Sequence, residues 1–420
     1  MVIGVEAQSD ELTQAEVAET LRRAFAQVAL DGQRALVIIP DGTRTAPIPL
    51  LFDLLYATLG QRLAQLDYLI ALGTHPPMAD EAIDALVGAT AAERAARYPG
   101  VRIFNHQWDH PNALTTIGAI RRHEAARLTD GLLSEDVPVT LNRMLLDYDQ
   151  IIICGPVFPH EVAGFSGGAK YLFPGIAGPD IINFTHWLGA LSTSMATIGV
   201  KDTVVRRVIH RAAEFVPRPI TCVALVMRGE SFQGTYIGSY TEAFAAAADH
   251  SARLNIIFKP HPFRSVLSIP AEHYDDLWTA AKAMYKTEPI IADGGEVIIY
   301  APHISEVSYV HGALIDEVGY HVRDYFLGQP ERFRDVPGMI LAHSTHVRGS
   351  GTYDVATGVE SPRIRVTLAT RIPQERCARI NLGYRDYHTL DPHAWANRED
   401  EGLLLVEHAG EVLYRLREPA

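Results

Sequence analysis

The sequence predicts an α/β fold in two domains, and three observations carry that expectation. Short apolar runs of strand length alternate with stretches of helical periodicity from residue 13 onward. Several of the runs end in small or polar residues just before a helix, where open α/β sheets carry their ligand loops. At 420 residues the chain is also longer than one hydrophobic core commonly serves.

Residues 13–30 repeat apolar side chains at helical spacing, and Arg34–Ile39 follows as a strand that ends at Pro40-Asp41-Gly42-Thr43-Arg44. A second unit repeats the plan with a helix over 50–63, a strand over 67–72 and then Gly73-Thr74-His75. Further strands are expected at 101–104 and 150–154, then a helix over 204–214, a strand over 220–227 and a helix over 242–251. The prolines of 258–262 break this pattern and mark a crossing between domains. The reading is therefore a Rossmann-like N-terminal domain over 1–255, a parallel sheet with helices on both faces. A smaller α/β C-terminal domain follows over 256–399. In it we expect a helix over 274–286 and strands at 295–300, 338–342 and 364–369. The tail, 400–420, reads as a hairpin-like ending that folds back on either domain and could complete the first.

Composition narrows the function. With 47% hydrophobic and 21% charged residues the chain is that of a folded soluble enzyme, not a disordered segment. A net charge of -13 without a lysine-arginine cluster speaks against nucleic acid as a partner. Cys154, Cys222 and Cys377 are scattered, so no disulfide framework is expected. No apolar run is long enough to cross a bilayer and no secretory pattern opens the sequence, so the expected location is cytoplasmic.

The chemistry concentrates in 155–187, GPVFPHEVAGFSGGAKYLFPGIAGPDIINFTHW. A P-loop fails there, because Ala169 replaces the final glycine and Tyr171 stands where a magnesium-binding hydroxyl belongs. A dinucleotide fingerprint is absent after every expected strand, and a zincin fails because Gly164 occupies the place of the second histidine after His160-Glu161. The Ser166-Gly167-Gly168 turn still suits a phosphate through its backbone amides. Lys170, flanked by Tyr171-Leu172-Phe173, is either a reactive amine in apolar surroundings or a solvated turn lysine. His186, beside Trp187, is either a packed core residue or a metal ligand. His75 follows the carboxyl end of a strand and is as open to catalysis as to structure, while Asp41 and Arg44 are equally a solvated turn pair. His106 and His110 stand four apart, but Asp109-His110-Pro111-Asn112 has turn chemistry, which argues against a shared metal.

Taken together, the Asp41-Gly42-Thr43-Arg44 loop, Gly73-Thr74-His75, the run from Pro159 through Gly164-Phe165-Ser166-Gly167-Gly168 to Lys170, and Thr185-His186-Trp187 resemble the nickel-dependent lactate racemase family. The resemblance covers most of the chain. It implies racemisation or epimerisation of a 2-hydroxy acid with a nickel-pincer nucleotide, a pyridinium-3,5-bisthiocarboxylic acid mononucleotide holding Ni, attached covalently to Lys170. His186 would then ligate the metal, and His75 and His160 would be the paired acid–base histidines. Asp41, Thr43, Ser166, Gly167 and Gly168 would contact the nucleotide, and Arg44 and Lys282 the substrate, in a cleft between the domains. Separate cofactor-synthesis proteins would be needed for maturation.

Two departures bear on substrate. Thr279 stands where the lactate enzyme's pattern has glutamine, and the family's late tryptophan finds no match near His343-Ser344-Thr345-His346-Val347-Arg348. The expectation is therefore a larger or more polar acid than lactate, such as the aldonate gluconate, with His303, His343, His346 and Arg348 as open candidates for contact. Three alternatives stand beside it: a short-chain 2-hydroxy acid racemase, a lysine Schiff-base enzyme using pyridoxal phosphate, and a non-catalytic nucleotide carrier.

Overall fold

Arg34–Ile39, RALVII, is buried at every position after the first, so both faces are covered and the strand takes the middle of a sheet. In the computed structural model, which describes residues 1–417, it is β2 of seven strands. The others are β1 (Ile3–Glu6), β3 (Gln65–Ile70), β4 (Ile103–Asn105), β5 (Gln150–Pro156), β6 (Ile220–Arg228) and β7 (Ser231–Gly238). Their order is β1-β7-β6-β5-β2-β3-β4. The stretch from β6 to β4 is parallel, and β7 and β1 extend it as antiparallel neighbours. From β2 the chain builds outward through β3 to β4 and then returns on the other flank as β5. That reversal makes a topological switch point at the carboxyl ends of β2 and β5, where open sheets leave a crevice.

Helices cover the sheet as their periodicity demands. α1 (Gln14–Phe25) starts with a capping box, in which Thr13 and Glu16 satisfy each other's backbone N–H groups. Its Val17, Leu21 and Phe25 enter one core with Leu51, Phe52 and Leu55 of α2 (Ile48–Leu59) and with Val37 and Ile39 of β2. α3 (Pro179–Ser192), α4 (Val204–Ala213) and α5 (Glu242–Asn255) follow.

A second sheet is wholly parallel: β8 (Phe263–Pro270), β9 (Ile291–Ala301), β10 (Arg365–Thr370), β11 (Gly383–Tyr384) and β12 (Leu403–Ala409), in the order β11-β10-β9-β8-β12. The chain divides accordingly into two compact units. The first holds Met1–Phe158, Phe165–Ile182 and Arg206–Leu254, and the second holds Pro159–Gly164, Asn183–Val205 and the chain from Asn255 onward. The insertion of 159–164 into the second unit has a local cause. The Gly199 N–H donates to the Gly164 carbonyl at 2.8 Å, and the Val200 carbonyl lies where a Cβ on Gly164 would sit.

The structure departs from sequence expectation at three places. Residues 338–342, read as a strand, open α6 (Gly338–Arg348), with every residue from Met339 to Val347 buried. A run that is apolar on all sides has no period to tell helix from strand. The helix expected over 274–286 is two short turns, Leu277–Ala280 and Lys282–Tyr285, the first capped by Asp276, whose side chain accepts from the Thr279 N–H at 3.0 Å. The tail is no hairpin and does not complete the first unit. Its Leu403–Val406 stretch supplies strand β12 beside β8, and Leu413–Leu416 pairs with Ile256–Lys259. His408 at φ 51° and Gly410 at φ 136° turn the chain between them.

No described helix is long and apolar enough to cross a membrane.

Candidate active site

Three neighbouring strands of the first unit end in the residues singled out from sequence. β2 runs into Asp41, Thr43 and Arg44, β3 into His75, and β5 into the glycine-rich turn before Lys170. Gly73, at φ 56°, sends its N–H to the Gly175 carbonyl at 2.9 Å, and the His75 N–H closes the turn on Leu72 O at 2.9 Å. The turn brings His75 Nδ1 to 2.5 Å from Asp41 Oδ2. The other oxygen, Oδ1, accepts from the Thr43 N–H at 3.1 Å and hydroxyl at 2.6 Å. Asp41 and Thr43, expected at the nucleotide, are thus engaged with His75 and with each other.

Burial alone would raise the Asp41 carboxyl. His75, Arg44 and Thr43 outweigh it and hold the group well below the ordinary carboxylate range. Because the folded value is the lower one, this charge contributes stability above the unfolded value of about 3.9 and loses it as pH falls through the folded value. Arg44 lies half-buried alongside, with Nη1 3.4 Å from the Thr43 carbonyl.

The glycine turn is rigidly built. The Ser166 N–H donates to Phe158 O at 2.7 Å, and its hydroxyl donates to Pro156 O at 3.1 Å while accepting from the Phe158 N–H at 2.9 Å. Ser166 is 6% exposed, so its hydroxyl ties the turn to β5 instead of facing a ligand. Gly167 and Gly168 have φ of 83° and 58°; a Cβ on them would meet Val157 Cγ2 at 2.5 Å and Phe244 Cβ at 2.9 Å. The Gly168 N–H points at the Cys222 thiol, which burial pushes up to about 12 and so keeps protonated. Lys170 sits in the 3-10 turn Gly168–Tyr171 that follows.

Beneath the turn lies Arg206, 2% exposed, a residue that sequence reasoning passed over. Its Nη1 donates to Gly167 O at 3.1 Å and its Nη2 to Phe165 O, while the guanidinium stacks 3.9 Å over the Phe244 ring. Burial brings its pKa down to about 9. An arginine in a helix beside Arg207 reads as surface, so nothing in the pattern announced it.

The remaining residues belong to the second unit. His160 is buried, with Nδ1 accepting from the Val162 N–H at 3.1 Å and lying 3.4 Å from a Glu161 carboxylate oxygen. His186 projects from α3; burial first, then His346, His311 and His186, hold His343 well below its ordinary value. The His343 ring stacks on Trp278 at 4.0 Å, and its Nε2 lies 3.2 Å from Tyr320 Oη. His311 packs on the same Trp278 at 4.6 Å. The Thr279 hydroxyl is spent on Asp276, and Lys282 Nζ lies 4.1 Å over the Tyr274 ring. His303 and Arg348 have structural partners, Tyr274 O at 3.0 Å and Asn381 O at 2.8 Å. In the first unit, His106, weighed as a metal ligand, is instead buried between Ala177 O and the Asn142 amide.

A histidine on a buried carboxylate, an arginine and a glycine-cradled lysine, all past the carboxyl ends of adjacent parallel strands, make the switch point of this α/β fold its candidate small-molecule site. Residues 4–199 match the family model described as the lactate racemase N-terminal domain. A crystallographically solved Thermotoga maritima protein is 31% identical, with 98% of this chain and 100% of that one covered at a TM-score of 0.90. The lactate racemase of Thermoanaerobacterium thermosaccharolyticum is 24% identical over 279 residues, 64% of this chain and 60% of that protein's length. The solved lactate racemase apoprotein of that organism shares the fold, at a TM-score of 0.69 with 17% identity over 97% of this chain and 94% of the other. This chain belongs to the lactate racemase family.

Arg206→Met would leave the Phe165 carbonyl without its Arg206 donor and Gly167 O with only the Lys170 N–H, and is expected to cost roughly 1–3 kcal/mol of stability. Urea titration measures that loss, and hydrogen exchange at the 167–169 amides should quicken with it; unchanged exchange there would show that Arg206 does not hold the turn.

Proposed function

We propose that this chain is an isomerase that inverts the C2 centre of a 2-hydroxy acid by reversible hydride transfer, working with a nickel-pincer nucleotide joined to Lys170. The observation that carries the reading is the Asp41–His75 pair, which shares the carboxyl edge of one sheet with the glycine cradle of Lys170. A carboxylate at Nδ1 fixes the tautomer with its lone pair on Nε2 and stabilises the imidazolium that forms when Nε2 takes a proton.

The residues present fit the nucleotide. Val157 and Phe244 press on Gly167 and Gly168 and fix the shape of the turn, and the Arg206 guanidinium behind it favours an anion in front. Lys170 would anchor the group, and His186 would give nickel one imidazole. Among the described residues no group of three or more His, Cys, Asp or Glu is spaced to hold a metal, so the other donors would be the sulfur arms of the nucleotide, soft ligands suited to nickel. When bound, the group supplies a reversible acceptor of hydride.

The chain's own residues do the rest. Arg44 engages the substrate carboxylate through its planar fork, and Lys282 adds a second cation. His75 Nε2 removes the hydroxyl proton of one stereoisomer as the C2 hydrogen departs with its electron pair, leaving a 2-oxo acid. After the oxo acid turns over, hydrogen returns to C2 and a histidine returns the proton to oxygen. His160 serves the opposite stereoisomer, and on forming the imidazolium its Nδ1 would exchange the Val162 N–H for the Glu161 carboxylate 3.4 Å away. Moving hydride avoids building a carbanion next to a carboxylate.

The environment of Trp278 supports a substrate larger and more polar than lactate, with an aldonate such as gluconate as our choice. Thr279 is short and turned to Asp276, and the imidazoles of His343 and His311 flank the indole, which makes this wall polar.

Three outcomes test the reading. Chain matured with cofactor-synthesis proteins should carry a covalent adduct on Lys170 by intact mass and about one nickel by elemental analysis; a borohydride-sensitive visible band without nickel would assign Lys170 to Schiff-base chemistry instead. Chiral chromatography over a panel of 2-hydroxy acids should find inversion of polyhydroxy acids, and inversion of lactate alone would overturn the substrate class. Asp41→Asn should lower turnover by roughly 10²–10⁴-fold with the Lys170 adduct retained; a variant of near-normal rate would remove His75 from the mechanism.

A further inference from the structure

A cavity of about 160 Å³ lies inside the second unit, and none of its lining residues has a part in the proposed reaction, His346 having been only an open candidate for substrate contact. Thr193 and Ser194 come from the chain just past α3, Thr345 and His346 from the last turns of α6, and Glu288 and Arg323 from the segments that flank it. The volume is near that of a cavity of about 150 Å³ known to admit benzene, six heavy atoms.

Polar groups left without partners collect at this place. Among the described residues, Ser194 Oγ, Thr345 Oγ1 and both ring nitrogens of His346 are buried and make no hydrogen bond. Native proteins pair about nine in ten such groups, so this concentration calls for a polar occupant. His346 is buried enough to bring its pKa down to about 4, so its neutral ring has one donor and one acceptor to offer. Backbone strain marks the same wall. Thr193 holds φ 65° and ψ 145°, a conformation that a β-branched residue adopts only when its surroundings impose it.

Two charges give the cavity polarity. Glu288 is 1% exposed; its Oε1 accepts from the Ser350 N–H at 2.7 Å, and Arg363 lies 3.7 Å away. Arg323 donates Nη1 to Leu191 O at 3.0 Å and turns Nε and Nη2 to Asp324 Oδ1 at 3.0 and 2.9 Å. The guanidinium has N–H bonds beyond these three. A metal cation would meet Arg323, and a phosphate dianion would meet Glu288. A small molecule with one carboxylate and neighbouring hydroxyls meets neither objection.

We propose that this cavity is a second binding site of the chain, for a hydroxylated carboxylic acid of three or four carbons. The acid's carboxylate faces Arg323 and its hydroxyls pair with Glu288, Ser194, Thr345 and His346. The proposal stands apart from the nickel chemistry, because it needs no cofactor.

Glycerate is the probe, titrated by ligand-detected NMR into full-length chain made without cofactor. Arg44→Ala serves as the background that weakens carboxylate binding at the first site, and the cavity variants separate what remains there from the second site. The expected result is saturable binding with Kd on the order of 1 mM, which for a ligand of this size is an ordinary efficiency. Arg323→Met and Thr345→Val should each weaken it by about tenfold or more, and glycerol, lacking the carboxylate, should bind at least about tenfold less tightly than glycerate. Thr345→Val deletes one hydroxyl at constant shape and decides the matter if Arg323→Met fails to fold. Absence of saturable binding in the Arg44→Ala chain, or binding indifferent to both cavity variants, overturns the site and leaves a water-filled void.

Discussion

The contact between Asp41 and His75 is the constraint around which the first unit's site is organised. It needs β2 and β3 to be parallel neighbours in register, because only then do the two loops leave the sheet side by side. It also needs Asp41 to stay ionised although it is 7% exposed, which Thr43, Arg44 and His75 together secure. A buried carboxylate with fewer partners would take up a proton and lose its hold on the ring. The aspartate, threonine and arginine of one short loop are therefore a single device for orienting an imidazole.

The glycine turn solves a different problem by similar means. Its carbonyls are held from below by Arg206 and its first residue is held by β5, so its shape exists before any ligand arrives. An anion that binds there does not have to order the loop, and the cost of ordering is a large part of what weakens binding to flexible segments. The buried guanidinium has a second effect, since a positive charge so poorly hydrated gains from an anion placed on the far side of the turn.

Much of the first unit was legible because its strands are short, apolar and punctuated, and because its loops leave from carboxyl ends. β2, β3, β5 and β6 lie within two residues of where the pattern puts them. The order of the motifs also carried the family. What stayed hidden were contacts between residues distant in sequence: Asp41 on His75, Arg206 under Gly167, His343 against Trp278. The fully buried α6 was hidden for another reason, since burial on all sides erases the amphipathic stripe that identifies a helix.

The path of the backbone between the units carries a last consequence. Residues 159–164 and 183–205 are enclosed by first-unit sequence yet complete the second, where Gly199 packs on Ile256 and Leu413, and Arg415 donates to the Ile198 carbonyl. No single cut of the chain can release either unit whole. During synthesis, which proceeds from the N-terminus, the segment bearing His186 emerges more than two hundred residues before Leu413 and Arg415 do. The far end of that segment is completed last, so a nascent chain can hold a finished first sheet while Ile198 and Gly199 still await the C-terminal strand that packs against them.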